Sequence, residues 1–297
     1  MRTSFTVLGQ VTAVRAGSPV PLSGQRMVTM LTALLLTPNE PVPADRLIKW
    51  VWAGSRSAHP RARLQNAMFR LRHAVGDDVV ETTSFGYRLR VDATTLDLLA
   101  FEQLVAGAAD AERGGDTVLA VDRLRQAIGL WRLPLLANVD APEFKQYATT
   151  LLTERYLTAH QEYARLSLRL GRHADVVADL SDLVGAYSLR EPLAAYLMAG
   201  LARAGRRADA LVTYEAVRRT LNEELGVQPG AELRSLHAKI LCAADHSKAR
   251  ISTARGDTRI AEATGGKVVL RTQSGDISGR RCSVWMSPAA VDSPVSG

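Results

Sequence analysis

Residues 63–72 read RLQNAMFRLR. Leu64, Met68 and Leu71 recur at the three- and four-residue spacing of one helical face. Between them stand Arg63, Gln65, Asn66, Arg70 and Arg72. Laid out as a helix over 60–76, the segment adds Val75 to the apolar stripe. Ala62, Asn66, Phe69 and His73 fall on the opposite face, with Arg63, Gln65, Arg70 and Arg72 on its shoulders. The stripe is only wide enough to dock on two other short helices. The rest has the composition of a helix that lies in a DNA major groove. Arginine pairs bidentately with guanine, Asn or Gln pairs with adenine, and a ring such as Phe69 sits against a thymine methyl. Taken alone, the segment fits equally well a solvated amphipathic helix whose Phe69 is packed under a loop.

The flanking sequence shifts that balance. FTVLG, VTAVRAG and PVPL in the first 22 residues alternate and break at Gly9, Gly17 and the two prolines, as short strands do. Gly24 to Thr37 is apolar at Met27, Met30, Leu31, Leu34 and Leu35 and stops at Pro38-Asn39, which predicts a first helix. ADRLIKWVW (44–52) predicts a second, entered near Pro43. The loop AGSRSAH (53–59) follows, then Pro60 opens the third helix and Gly76 ends it. VVETTSFGYRLRV (79–91) predicts two strands turning near Ser84 to Gly86. The second and third helices form a helix-turn-helix, and the hairpin forms a wing. On the wing, Thr82, Thr83 and Ser84 can donate to phosphates, while Arg88 and Arg90 add charge. Strands, three helices and a terminal hairpin together predict a winged helix of the response-regulator output type over residues 1–95.

From Leu96 the composition turns to Leu, Ala, Glu and Arg, with helical periodicity to about Ala244. Gly171-Arg172-His173-Ala174-Asp175 echoes as Gly205-Arg206-Arg207-Ala208-Asp209, an offset of 34 residues, the tetratricopeptide period. Residues 96–246 are therefore read as an all-α repeat domain. Residues 247–297 have no such periodicity and read as a flexible basic tail, with KVVLRT (267–272) as one candidate strand.

Charge follows the same division. The balance of Lys and Arg over Asp and Glu is +6 for residues 1–95, −3 for 96–246 and +4 for 247–297, within a total of +7. A basic first module favours a polyanionic partner. Cys242 and Cys282 are too few and too far apart for a disulfide framework or a metal site. MRTSFTVLGQ lacks the apolar run of a signal peptide, and the greasiest stretch, Met30 to Leu36, is far too short to span a bilayer. A cytoplasmic protein without membrane association is expected. No convergent reactive set emerges, and no cofactor or enzymatic activity is expected. The six histidines form no H-E-x-x-H, Glu223 and Glu224 read as a solvated acidic face, and Trp50, Trp52 and Trp131 read as core. G-x-S-x-G, G-x-G-x-x-G and G-x-x-x-x-G-K-[ST] are all absent from the sequence.

The order and spacing of FTVLG, ADRLIKWVW, LQNAMFRLRHAVG and FGYRLRV resemble the N-terminal DNA-binding domain of the Streptomyces antibiotic regulatory protein (SARP) family. LDLLAFEQLV, IGLWR and the stretch from LREPLAAYLM to LHAKIL, with its distinctive ELGVQPGAEL (224–233), resemble the family's second domain, the bacterial transcriptional activation domain. The resemblance covers roughly residues 4–242 and the small, two-domain type. It implies a pathway-specific activator of a secondary-metabolite gene cluster. Such an activator binds direct repeats in promoter DNA near the −35 region, as a homodimer on DNA. It recruits RNA polymerase holoenzyme including its sigma subunit. Carried over residue by residue, it places Gln65, Asn66, Phe69, Arg70 and Arg72 toward DNA and Arg88 at the wing, with loop 53–59 toward polymerase. Arg63, His73 and Thr83 complete the expected DNA-facing set. Family members often carry a small polar residue where Phe69 stands, which puts the target preference apart. The competing reading is a helical-repeat adaptor or effector-sensing protein whose basic module holds nucleic acid without sequence preference.

Overall fold

A computed structural model describes residues 2–53, 58–253, 262–264 and 267–269. The chain opens with an antiparallel meander, β1 (Thr3–Thr6), β2 (Thr12–Arg15) and β3 (Ser18–Pro19). Thr3 and Phe5 point inward while Ser4 and Thr6 are exposed, the two-residue alternation of a half-buried strand. Only Ser18 and Pro19 form the third strand, so the strand expected over PVPL does not reach Val20 or Leu22.

Three helices follow: α1 (Gln25–Leu35), α2 (Ala44–Val51) and α3 (Pro60–Val75). α1 is buried continuously from Val28 to Leu35, because it lies in the middle of the module with no solvent side along that stretch. The stripe of α3 behaves as the periodicity predicts: Leu64, Met68, Leu71 and Val75 are all buried. The wing is β5 (Val80–Thr83) and β6 (Gly86–Leu89), paired Thr83 to Gly86 and Glu81 to Arg88 around Ser84-Phe85. A third strand joins it. β4 (Val42–Pro43) pairs with β6, Val42 facing Tyr87 and Pro43 facing Gly86. A two-residue strand that itself contains a proline carries no periodic signature, so this strand exists only through its partner.

Seven helices follow: α4 (Asp97–Arg113), α5 (Thr117–Ile128), α6 (Pro142–Arg169), α7 (His173–Ala186), α8 (Glu191–Arg203), α9 (Arg207–Leu225) and α10 (Ala231–Thr253). The turns α6–α7 and α8–α9 are the echoed segments, and α4–α5 has the same turn. Gly115, Gly171 and Gly205 all adopt left-handed φ, at 84°, 76° and 80°. Asp116, Arg172 and Arg206 each donate the backbone N–H five residues back, to Ala111, Ser167 and Leu201 at 2.8–2.9 Å. This is the 6→1 closure of a glycine-terminated helix. The third copy escapes a search at 34 residues because residues 129–141 and the 28-residue α6 intervene. α10 continues to Thr253, past the expected boundary at 246, and β7 (Glu262–Thr264) pairs with β8 (Lys267–Val269), where a strand was expected. The rest of the tail, and its expected flexibility, lie outside the described residues.

The two expected domains share one core. A single buried cluster runs from Phe5, Leu8, Leu47 and Leu64 to Phe101, Trp131, Phe144 and Leu152. The meander is the joint. Arg132 and Leu136 donate their N–H groups to Leu8 and Gly9 carbonyls at 2.8 and 2.6 Å, and Asn138 exchanges two hydrogen bonds with Val11. The Asp97 carboxylate accepts Val7 N–H at 2.9 Å and Leu8 N–H at 3.1 Å. Burial pushes its pKa up, against the opposing pull of those N–H donors. On the far side, Trp50 of α2 packs on Phe144 and Tyr147 of α6, ring centroids 5.0 and 5.6 Å apart, with the Arg46 guanidinium 4.4 Å from the Trp50 centroid.

Asp97→Ala is expected to cost about 2 kcal/mol. It leaves two N–H donors without an acceptor, each worth about 1–3 kcal/mol, and relief from burying the carboxylate offsets part of that. Urea unfolding measures it; a loss under about 0.5 kcal/mol would show that water or a backbone shift replaces the clasp.

Candidate nucleic-acid interface

With the stripe buried, α3 presents Gln65, Asn66, Phe69, Arg70 and His73 to solvent. Phe69 is 71% exposed, so no described loop covers it. A single exposed ring is ordinary on a protein surface; what favours a DNA-reading face is its place beside Gln65, Asn66 and Arg70, side chains that can pair with base edges.

The other expected contacts have intramolecular work. Arg72 is half-buried: its Nε donates to Val80 O at 2.9 Å, its Nη2 donates to Thr82 Oγ1, and its guanidinium lies 5.9 Å from the Tyr87 ring centroid. It ties α3 to the wing. Arg88 and Arg90 both clamp Glu81, through Nε contacts of 2.9 and 3.0 Å to the same oxygen. Hydrogen bonds from the Arg90 and Arg88 guanidinium groups lower the Glu81 carboxyl to a pKa of about 2. Thr83 Oγ1 donates to Gly86 O and accepts Phe85 N–H and Gly86 N–H, so it organises the turn. Arg63 lies with its guanidinium 5.6 Å from the Trp52 ring centroid, between α3 and the end of α2. The Glu81–Arg88 pairing was legible: a two-residue turn at Ser84-Phe85 puts position 81 opposite 88.

Two features beside α3 escaped the sequence reading. A groove of about 600 Å³ runs between α3 and the β2–β3 turn, bringing Arg15, Ser18 and Ser23 alongside Phe69, Arg70 and His73. Phe85, at the tip of the wing, is 76% exposed. Strand alternation reveals which face of β2 is buried but not which helix its turn will meet. Residues 54–57 of the loop expected to face polymerase lie outside the described residues.

Elsewhere the side chains follow expectation. Trp52 and Trp131 are buried, Trp50 packs against the same core, and Glu223 and Glu224 are exposed. No group of three or more His, Cys, Asp or Glu among the described residues could hold a metal ion, and no described helix is long and apolar enough to cross a membrane.

Residues 96–241 match the bacterial transcriptional activator domain. Regulatory protein DnrI of Streptomyces peucetius is 32% identical over 248 residues, covering 80% of this chain and 91% of that protein. The chain belongs to the SARP family. Regulatory protein AfsR of Streptomyces griseus is 37% identical over 246 residues, 83% of this chain. The SARP chain described here spans only about a quarter of AfsR, 25% of the griseus protein. Among solved structures, Mycobacterium tuberculosis EmbR, in complex with a low-affinity phosphopeptide, superposes with a TM-score of 0.74 at 29% identity. The match covers 85% of this SARP chain and 70% of EmbR, and it carries the winged helix and the helical domain together.

Proposed function

We propose that this protein is a sequence-specific transcriptional activator of a secondary-metabolite gene cluster, with no enzymatic activity. In this reading it binds direct repeats near a promoter −35 region and engages RNA polymerase holoenzyme including sigma. The observation that supports the reading most is the exposed face of α3, where Gln65, Asn66, Phe69 and Arg70 project together from a helix whose other side is locked into the core. α3 enters the major groove and reads bases with those four side chains. His73 and Arg63 flank them toward phosphates. Arg72, Thr83 and Arg88 act by holding the wing and the helix in one geometry, so their part in DNA binding is positional. Direct repeats require head-to-tail protomers on DNA. The joint built on the meander makes the helical domain a brace, and a displaced winged helix would carry that domain with it.

Arg70→Ala tests this reading. On a duplex recovered from random sequence by the wild-type chain, it should cost about 1–3 kcal/mol at one or two base pairs and relax preference there. Competition binding against single-base variants measures it. An equal loss on every sequence would make Arg70 a phosphate contact. Binding by the wild-type chain that shows no sequence preference and disappears with salt would return the adaptor reading.

A further inference from the structure

The chain has five phenylalanines. Phe5, Phe101 and Phe144 are 2–3% exposed, and the two left in water are Phe69 on α3 and Phe85 on the wing. Phe69 has a use in the reading above. Phe85 has none, and several features around it point to one.

The first is rigidity. Thr83 Oγ1 accepts both Phe85 N–H at 3.3 Å and Gly86 N–H at 3.2 Å, which closes the turn from inside. Gly86 lies against the backbone of β4, and Arg72 bolts Thr82 to α3. The ring is therefore carried at a set place relative to the recognition helix rather than on a loose loop. The second is charge. The one carboxylate of the hairpin strands, Glu81, is paired with Arg88 and Arg90. The residues that lead into the turn carry hydroxyls: Thr82, Thr83 and Ser84. Nothing acidic in the turn repels a phosphate backbone. The third is chemistry. A phenyl ring has no donor or acceptor with which to read a base edge. Away from the major groove, where a ring can pack on a thymine methyl, its use against DNA is as an apolar wedge that enters the minor groove, parts two stacked base pairs and kinks the duplex.

We infer that Phe85 is such a wedge. This rests on the DNA-binding reading and adds to it a second recognition device. While α3 reads bases in the major groove, the wing selects a step that unstacks at low cost, a pyrimidine–purine step such as TA or CA. Specificity then arises at a position where no side chain hydrogen-bonds a base.

The test uses the full chain and a duplex recovered by it from random sequence, with 2-aminopurine placed in turn at each adenine. The wild-type protein should raise the fluorescence of one 2-aminopurine outside the major-groove site. It should also bend the duplex in a circular-permutation gel. Phe85→Ser should abolish both signals and weaken binding about tenfold, whereas Phe85→Leu, still an apolar wedge, should keep them. Because the side chain touches nothing in the core, the thermal midpoint should not move. Equal affinity, fluorescence and bending for wild type and Phe85→Ser would overturn the wedge and leave the activator reading standing. Unchanged DNA behaviour with lost transcription would overturn it too, and give Phe85 to a protein contact. Failure of the wild-type chain to select any sequence would remove both readings.

Discussion

Gly86→Ala is expected to lower stability by about 3–4 kcal/mol and to abolish selective DNA binding with it. Gly86 begins β6 at φ 154°, opposite Pro43 of β4. An alanine methyl there would stand 2.0 Å from Val42 O, 2.9 Å from Val42 C and 3.0 Å from Ala44 N. All three are backbone atoms, so no side chain can swing aside. Either β4 separates from β6, or the turn carrying Ser84 and Phe85 deforms. The first also disturbs the start of α2, whose first residue is Ala44. Gly24→Ala is the control, since Gly24 has φ 87° with nothing within 4 Å of the added methyl. It should lose only the conformational term, about 1 kcal/mol. Urea midpoints of the two variants separate the causes. Equal losses would show that the approach to β4 is not what Gly86 is needed for.

Lowering the pH from about 7 to about 4 is expected to remove about 3 kcal/mol of stability through His160 alone. His160 lies inside α6, 5% exposed, with neither ring nitrogen hydrogen-bonded and its ring edge-on to Tyr156 at 4.5 Å. Burial drops its pKa from 6.5 to about 4, opposed weakly by the Asp179 carboxylate. Between those values the unfolded chain binds the proton and the folded chain does not. Stability from this group is therefore complete above about 6.5 and drains as pH falls, at up to about 1.4 kcal/mol per unit. His160→Leu should flatten that part of the profile, and at pH 7.5 it should cost little, because no hydrogen bond is lost. Urea unfolding of both chains across pH 4–8 gives the difference curve, which cancels the carboxylates common to both. Parallel profiles would mean that His160 finds water or another partner in the fold.

Much of the architecture was legible because it is written in periodicity. Leu64, Met68, Leu71 and Val75 repeat at helical spacing and are buried as that spacing demands. The winged helix followed from element order, and the repeat domain from one glycine-centred echo. The direction of Phe69 was legible as well, as the side of α3 opposite the stripe.

What stayed hidden depends on partners distant in sequence. The strand at Val42-Pro43 is made by β6, 45 residues later for Val42 and Tyr87. Arg72 is expected to face DNA, yet its guanidinium group also suits a carbonyl, and only the hairpin's place beside α3 supplies Val80 O. The division at residue 95 followed a real change of composition, but Asp97 and Asn138 join its two sides through the backbone of residues 7, 8 and 11. The sequence by itself determined the elements, the buried stripe and the basic, amide-rich face, because each follows from the repeat length of a helix or strand. Tertiary structure alone decided that Arg72 also bonds the wing, that the two modules share a core, and that Phe85 is held out in water. Those outcomes rest on distances between residues that no local spacing encodes.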